Sequence, residues 1–327
     1  MDKNVELKKR ELLYKLKLNR AMEADGIMLN ETNRRIELRN LLQIQEVREF
    51  YNNLQLSLRA NQIIGGSLAV PEMVQDRIRG LLSKYSGLYD EVQVVPVGTD
   101  GRVLVSVGEA KAKWESVTTT LEELQSSIDL MEMHDIRLGG YIPVSNGTIE
   151  DSLIDMVIYL EELLAKAVAY GIDDGIINGV GDHESIFEPT GLLMNLPPEN
   201  IVTIPFTLTD ILSQISLIDT GKKDDIGEVA AVMKRKTYYK DIMALANSSL
   251  PYPNINGLRV KFSGAVSDDT LILGDFKEYI LAERNGLRIQ QSEHQFFTDD
   301  LTVFKAVGRY DGQPHIQRAF VKIVKGA

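Results

Sequence analysis

Cysteine is absent from all 327 residues. That excludes disulfides, thiolate nucleophiles and cysteine-ligated zinc, and it suits a reducing compartment. Histidine is nearly as scarce. His134, His183, His294 and His315 are too scattered for an HExxH or i,i+4 ligand pair, so no metal site is read from them. There is no GxSxG elbow and no GxxxxGK[ST] loop, which removes the usual serine-hydrolase and phosphate-cradling signatures. No apolar run reaches the roughly 18 residues a membrane span requires. The start, MDKNVELKKRELLYKLK, is charged throughout and lacks the apolar core of a secretory signal. Positive charge is also short: 36 Lys and Arg face 47 Asp and Glu, for a net charge of −11. Such a chain repels phosphate backbones, so gripping nucleic acid is not its main work. The adjacent carboxylates Asp173-Asp174, Asp224-Asp225 and Asp299-Asp300 diverge on any regular element; they read as solvated turns or caps, not acid/base pairs. No catalytic, cofactor or metal constellation emerges, and an enzyme is not expected.

What is present is ordinary globular material, 44% hydrophobic and 25% charged, long enough for a substantial core. Residues 1–60 stand apart, with no proline and a single glycine, Gly26. Leu38, Leu41, Ile44, Val47, Tyr51 and Leu54 recur at steps of three and four, one stripe of a helix. A shorter helix is expected over about residues 4–22. A thin apolar stripe among charges calls for a partner, such as another copy of itself; a solvated hairpin lying on its own domain is the alternative. NQIIGGSLAV, ending at Pro71, reads as a linker.

Beyond it, Pro71 opens a helix, where its missing N–H costs nothing, and a strand follows at about residues 92–97. Asp100-Gly101 sits between two β-rich runs and predicts a hairpin. From Gly108 to about Glu123 the chain is polar, an extended arm carrying Lys111, Lys113, Trp114 and Glu115. The strongest helix signal runs over about residues 148–179, with Thr148 as N-cap and Asp151 completing a capping box. Ile149, Leu153, Met156, Leu160, Leu163, Ala167 and Tyr170 form its apolar seam. Thr209 or Asp210 is expected to cap a helix over residues 207–218. KEYILAER and LRIQQSEH read as separate short strands, and the tail as two antiparallel strands turning at Asp311-Gly312. The fold class is α+β.

Gly179 and Gly181 form a Gly-x-Gly that fails the dinucleotide test. A helix precedes it, Glu184 stands where the third glycine belongs, and Pro189 follows soon after. The glycines read instead as the place where the long helix ends and the chain reverses, with Pro189 and Gly191 forming the next turn.

From Pro71 onward the chain resembles the major capsid protein family of tailed bacteriophages, with the Hong Kong 97-type fold. Four landmarks carry the resemblance in order. They are Pro71 opening a helix, then a strand and the arm with Trp114-Glu115; Ile142-Pro143-Val144-Ser145 leading into the acidic helix; AYGIDDGIINGVG…EPTGLL over residues 169–193; and a tail with Asp299, Arg309, Asp311, Gly312, Ala319, Phe320 and Val321. The insert DHESIFE between Gly181 and Pro189 departs from the family pattern.

The resemblance implies a helical N-terminal segment over 1–66, like the scaffolding segment that a phage protease removes in some members. Here the cut is expected near Gly65, Gly66 or Ser67. It implies a capsid domain over 67–327, with an extended arm at 98–125 that places Arg102, Lys111, Lys113, Trp114 and Glu115 on a neighbouring subunit. A spine helix would span 148–179 and an axial domain 199–285. Residues 67–97 and 286–327 would join the spine helix in a peripheral domain. The partners implied are copies of itself in pentamers and hexamers of an icosahedral shell, a portal protein and a head-maturation protease. The shell would enclose double-stranded DNA without reading its sequence, in a virion built in the bacterial host's cytoplasm, away from membranes. No lysine–asparagine crosslink is expected, because residues 295–327 contain no asparagine. Two rival readings are an encapsulin-like nanocompartment, disfavoured by the charged leader, and an α/β enzyme, disfavoured by its missing motifs.

Overall fold

β-Branched and aliphatic runs bounded by glycine, proline and aspartate make most of the strands, and one long aliphatic seam makes the principal helix. The computed structural model describes residues 80–98, 102–107, 127–132, 134, 136–145, 153–183, 186–220, 228–246 and 253–326, with residues 40, 44, 45 and 47–49 near the start. In chain order the strands and helices are β1 (Gln93–Pro96), β2 (Arg102–Val107), β3 (Ser127–Glu132), β4 (Arg137–Ser145), α1 (Leu153–Asn178), β5 (Val180–His183), β6 (Ile186–Thr190), β7 (Ile201–Ile204), α2 (Leu208–Ser213), β8 (Val229–Met233), β9 (Asn254–Ile255), β10 (Leu258–Phe262), β11 (Thr270–Asp275), β12 (Tyr279–Phe296), β13 (Leu301–Pro314) and β14 (Phe320–Lys325). A tight helical stretch, Arg235–Thr237 continuing through Tyr238–Ile242, follows β8.

The chain divides into two units: Met1–Asp90 with Arg137–Ile172 and Gly286–Arg309, and Glu91–Ile136 with Asp173–Asn285 and Tyr310–Ala327. In the first, β13 pairs antiparallel with β4 from Leu301↔Ser145 to Arg309↔Arg137. Helix α1 lies close to β4 because Gly171 has no side chain. A Cβ there would come within 2.6 Å of Leu138 Cδ1, so this glycine serves packing and the helix runs through it. Leu164, Ala165, Val168, Ala169 and Ile172 are buried along it, whereas Ala167 and Tyr170, expected on the apolar seam, are exposed: the buried face lies one position away from the expected stripe. Residues 80–85 are helical, and Lys166 places its ammonium 5.0 Å from the centre of the Tyr85 ring. Near the start, residues 47–49 are helical and Val47 is buried, while Thr148 and Asp151 lie outside the described residues.

The second unit is built on a six-stranded mixed sheet in the order β7-β14-β11-β8-β10-β9. Leu271, Leu273, Ala231, Met233, Val321 and Ile323 alternate onto one face and close a core with Ile211, Tyr238, Ile242 and Ile255. Each fully buried large aliphatic side chain stabilises by roughly 1.5–3 kcal/mol. Residues 320–325, grouped in the sequence reading with the peripheral domain, form β14 inside this sheet, between β7 and β11.

Several local readings are corrected. Asp311-Gly312 is not a turn: β13 runs straight through it and the chain bends at Gln317–Ala319. Gly312 is needed for close approach, since a Cβ there would meet the Tyr279 hydroxyl at 2.7 Å. Nor do the runs flanking Asp100-Gly101 pair with each other. β1 lies parallel to Ile280–Glu283 of β12, while β2 pairs with β3; distant partners override the local turn signal. The two short strands expected after residue 277 are one, β12. Thr207, not Thr209 or Asp210, caps α2: its hydroxyl oxygen accepts the Asp210 N–H at 3.2 Å and its O–H donates to the Asp210 carboxylate at 2.6 Å. Asp173 is buried within α1 and is not a solvated cap.

Candidate assembly surfaces

The end of α1 shows what the Gly-x-Gly does. A helix leaves its last carbonyls without intrahelical donors, and no basic residue stands in the last turn of this one. The chain returns to supply them. Leu192 N–H donates to the Ile176 carbonyl at 2.7 Å, Leu193 to Ile177 at 3.2 Å and Gly191 to Gly179 at 2.9 Å. Such proximity leaves no room for side chains. A Cβ on Gly179 would lie 2.1 Å from the Pro189 carbonyl oxygen, and one on Gly191 would lie 2.5 Å from Gly179 N. Between helix and cap, the departure from the family pattern is a hairpin of β5 and β6, bulged between Val180 and Asp182. Gly181 takes φ +72° there, a conformation that favours glycine. Pro189 does not turn the chain. It lies inside β6, and the turn residues are 192–195.

The arm begins as a two-stranded ribbon, β2 against β3, from Arg102↔Glu132 to Val107↔Ser127. Arg102 and Glu132 also face each other as an exposed ion pair at 3.6 Å. Val103 and Ile280 are buried together, flanked by Val95 and Val97, which anchors the base of the ribbon. Lys111, Lys113, Trp114 and Glu115 lie outside the described residues, as do Gly65, Gly66 and Ser67. Past β3, the His134 N–H donates to Asp311 Oδ2 at 2.6 Å, and its Nδ1 lies 3.6 Å from the same oxygen. Burial raises the Asp311 pKa, opposed by the N–H groups of His134 and Gly312.

A third surface escaped the sequence reading. β8, β10, β14 and β7 all run the same way, and β11 runs against them. Their shared rim carries the residues just after β8 and just before β11. There Asp268 accepts from Lys234 Nζ at 2.8 Å and Lys236 Nζ at 2.7 Å. These two ammonium groups hold its carboxyl down to about 2. Lys240 lies 3.4 Å from Asp269, and Lys325 donates to Asp241 at 2.5 Å. The signal was present in Lys234-Arg235-Lys236, a basic run in an acidic chain, but its carboxylate partners lie over 30 residues downstream. Among the described residues, no group of histidine and carboxylate side chains could hold a metal ion, and no helix is long and apolar enough to cross a membrane.

The phage capsid family model matches residues 66–325. The chain belongs to the phage capsid family. Solved structures carry the same fold at low identity. The capsid of a native GTA particle is 20% identical with a TM-score of 0.54, covering 74% of this chain and 90% of that one. The Mycobacterium phage Adephagia structure is 12% identical with a TM-score of 0.55, over 74% and 90% of the two chains. The procapsid of satellite phage P4, which includes its size determination (Sid) protein, is 11% identical with a TM-score of 0.55, over 77% and 99%. No curated protein matches the sequence. The architecture is the α+β fold of Hong Kong 97-type capsids, and this capsid protein is a structural component of a phage head.

Proposed function

We propose that copies of this chain close into pentamers and hexamers of an icosahedral shell around double-stranded DNA. One vertex would hold a portal protein. Residues 1–66 would serve as an internal scaffolding segment, removed by a head-maturation protease near Gly65, Gly66 or Ser67. The observation that carries the leader reading is the family match, which begins at residue 66, beside the small-residue linker.

Charge supports the rest. Residues 1–66 hold more lysine and arginine than aspartate and glutamate, so the acidic excess lies wholly in residues 67–327. Losing the leader leaves a more acidic wall, which repels packaged DNA and lets it leave. The chain acts by geometry and not by catalysis, and it is made in the cytoplasm of a bacterial host. Arg102, Lys111, Lys113, Trp114 and Glu115 would lie on a neighbouring subunit, since the sequence joining β2 to β3 is long and polar. Closed shells arise from such repeated heterologous contacts.

Two measurements test this. Electron microscopy of the expressed chain should show round closed particles; a solution of monomers would refute the reading. Mass spectrometry of mature particles should find a new terminus near Gly65–Ser67, and an intact Met1 would overturn the cleavage.

A further inference from the structure

The rim of the six-stranded sheet carries both members of a charge pattern side by side. Lys234, Lys236 and Lys240 stand on or beside the helical stretch after β8. Asp268 and Asp269 stand on the turn before β11, where Asp269 holds φ 53° and its carbonyl accepts the Lys325 N–H at 2.9 Å. The pairs are open to water: the Lys236 side chain is 72% exposed and that of Asp268 48%. Beside them Tyr239 is 58% exposed and Met243 49%. Tyr239 stacks on Phe262 with ring centres 6.4 Å apart, and the Arg235 guanidinium sits 5.6 Å from the same ring. An apolar pad thus lies within a border of both signs.

We propose that this rim is a self-complementary contact between neighbouring copies of the chain, Lys234 and Lys236 of one copy meeting Asp268 of the next around the Tyr239–Met243 pad. The inference rests on the shell reading above and assigns residues to one of its contacts. Exposed ion pairs are weak in water, so opening them within one copy costs little. Between two copies, partly shielded from water, the same charges attract more strongly and a misplaced like charge repels. A second copy is favoured over a partner of one sign because Lys234, Lys236 and Asp268 place both signs side by side on the same rim. A patch that carries its own complement suits an isologous contact, in which the same rim of two copies meets across a two-fold axis.

The test uses two full-length variants: Lys234→Glu with Lys236→Glu, and Asp268→Lys. The cluster at positions 234, 236 and 268 then carries one sign in each variant, so each expressed alone should lose about tenfold or more in particle yield. Co-expressed, they should yield particles containing both chains, because the acidic cluster of one variant can meet the basic cluster of the other only between copies. Particles at wild-type yield from either variant alone would overturn the proposal, as would co-expression that fails to restore particles from soluble, cooperatively melting chains. If either variant does not fold, Lys236→Met and Asp268→Asn replace them. A lowered yield from each then supports the contact and an unchanged yield overturns it. Wild-type chain run in parallel separates the two levels. If it forms shells while the variants do too, only the rim contact fails; if it forms none, the shell reading fails and takes this contact with it.

Discussion

The hydroxyl of Ser263 donates a 2.8 Å hydrogen bond to the carboxylate of Asp173, both residues being buried. It ties the last turns of α1 to the end of β10 through a carboxyl group removed from water, where each lost donor matters. Ser263→Ala should cost about 1–3 kcal/mol, read as a lower urea midpoint with unchanged slope. A variant as stable as the wild type would mean that the bond contributes nothing net.

The backbone contacts at the end of α1 set a second expectation. Alanine at Gly179 or Gly191 forces a Cβ against backbone atoms at 2.1 and 2.5 Å, and neither the helix end nor its cap can yield cheaply. Destabilisation should be at least about 1–3 kcal/mol, with reduced soluble yield. Gly80, helical with nothing near its missing Cβ, is the control. Gly80→Ala should stabilise by about 0.5–1 kcal/mol. Equal melting temperatures for all three variants would contradict this account.

Tyr279 is fully buried and its hydroxyl meets no hydrogen-bond partner among the described residues. Burial, and then the Asp311 charge, push its pKa well above the ordinary tyrosine value. Removing an unsatisfied hydroxyl relieves a desolvation cost of about 1–3 kcal/mol. Tyr279→Phe should therefore melt at or above the wild-type temperature. A marked drop would reveal a partner for the hydroxyl.

Two aspartates should titrate in opposite directions from the ordinary value. Asp268 is held at about 2 by Lys234 and Lys236. Its contribution is present above the unfolded-state value and is lost only as pH falls through about 2. Asp311 is raised, chiefly by burial, so its contribution is complete below the unfolded-state value and declines as pH rises through the folded one. Carbon-13 carboxyl shifts should place the Asp268 midpoint below and the Asp311 midpoint above that of an exposed aspartate. Asp311→Asn should remove the second pH dependence from stability curves.

Helix α1, its glycine exit and the strand run after residue 200 were legible because each is written in local periodicity or turn chemistry. What escaped depends on partners far along the chain. Asp311-Gly312 carries a strong turn signature, yet its carboxylate serves the His134 N–H and its glycine makes room for Tyr279. Asp173 looked solvated because nothing near it in sequence announces Ser263. The rim shows the same limit: Lys234 and Lys236 are visible as charge, but their arrangement around Asp268 exists only once β8 and β11 lie side by side.

Among the described residues, strand β7 pairs only with β14, so a segment made early waits for one made late. During synthesis, residues 201–204 leave the ribosome well before Phe320–Lys325 exist to receive them. The second unit therefore cannot acquire its finished sheet in the order in which it is translated. A nascent chain stays unfinished there until its synthesis is nearly complete, which delays the moment at which it can present a completed rim to its siblings.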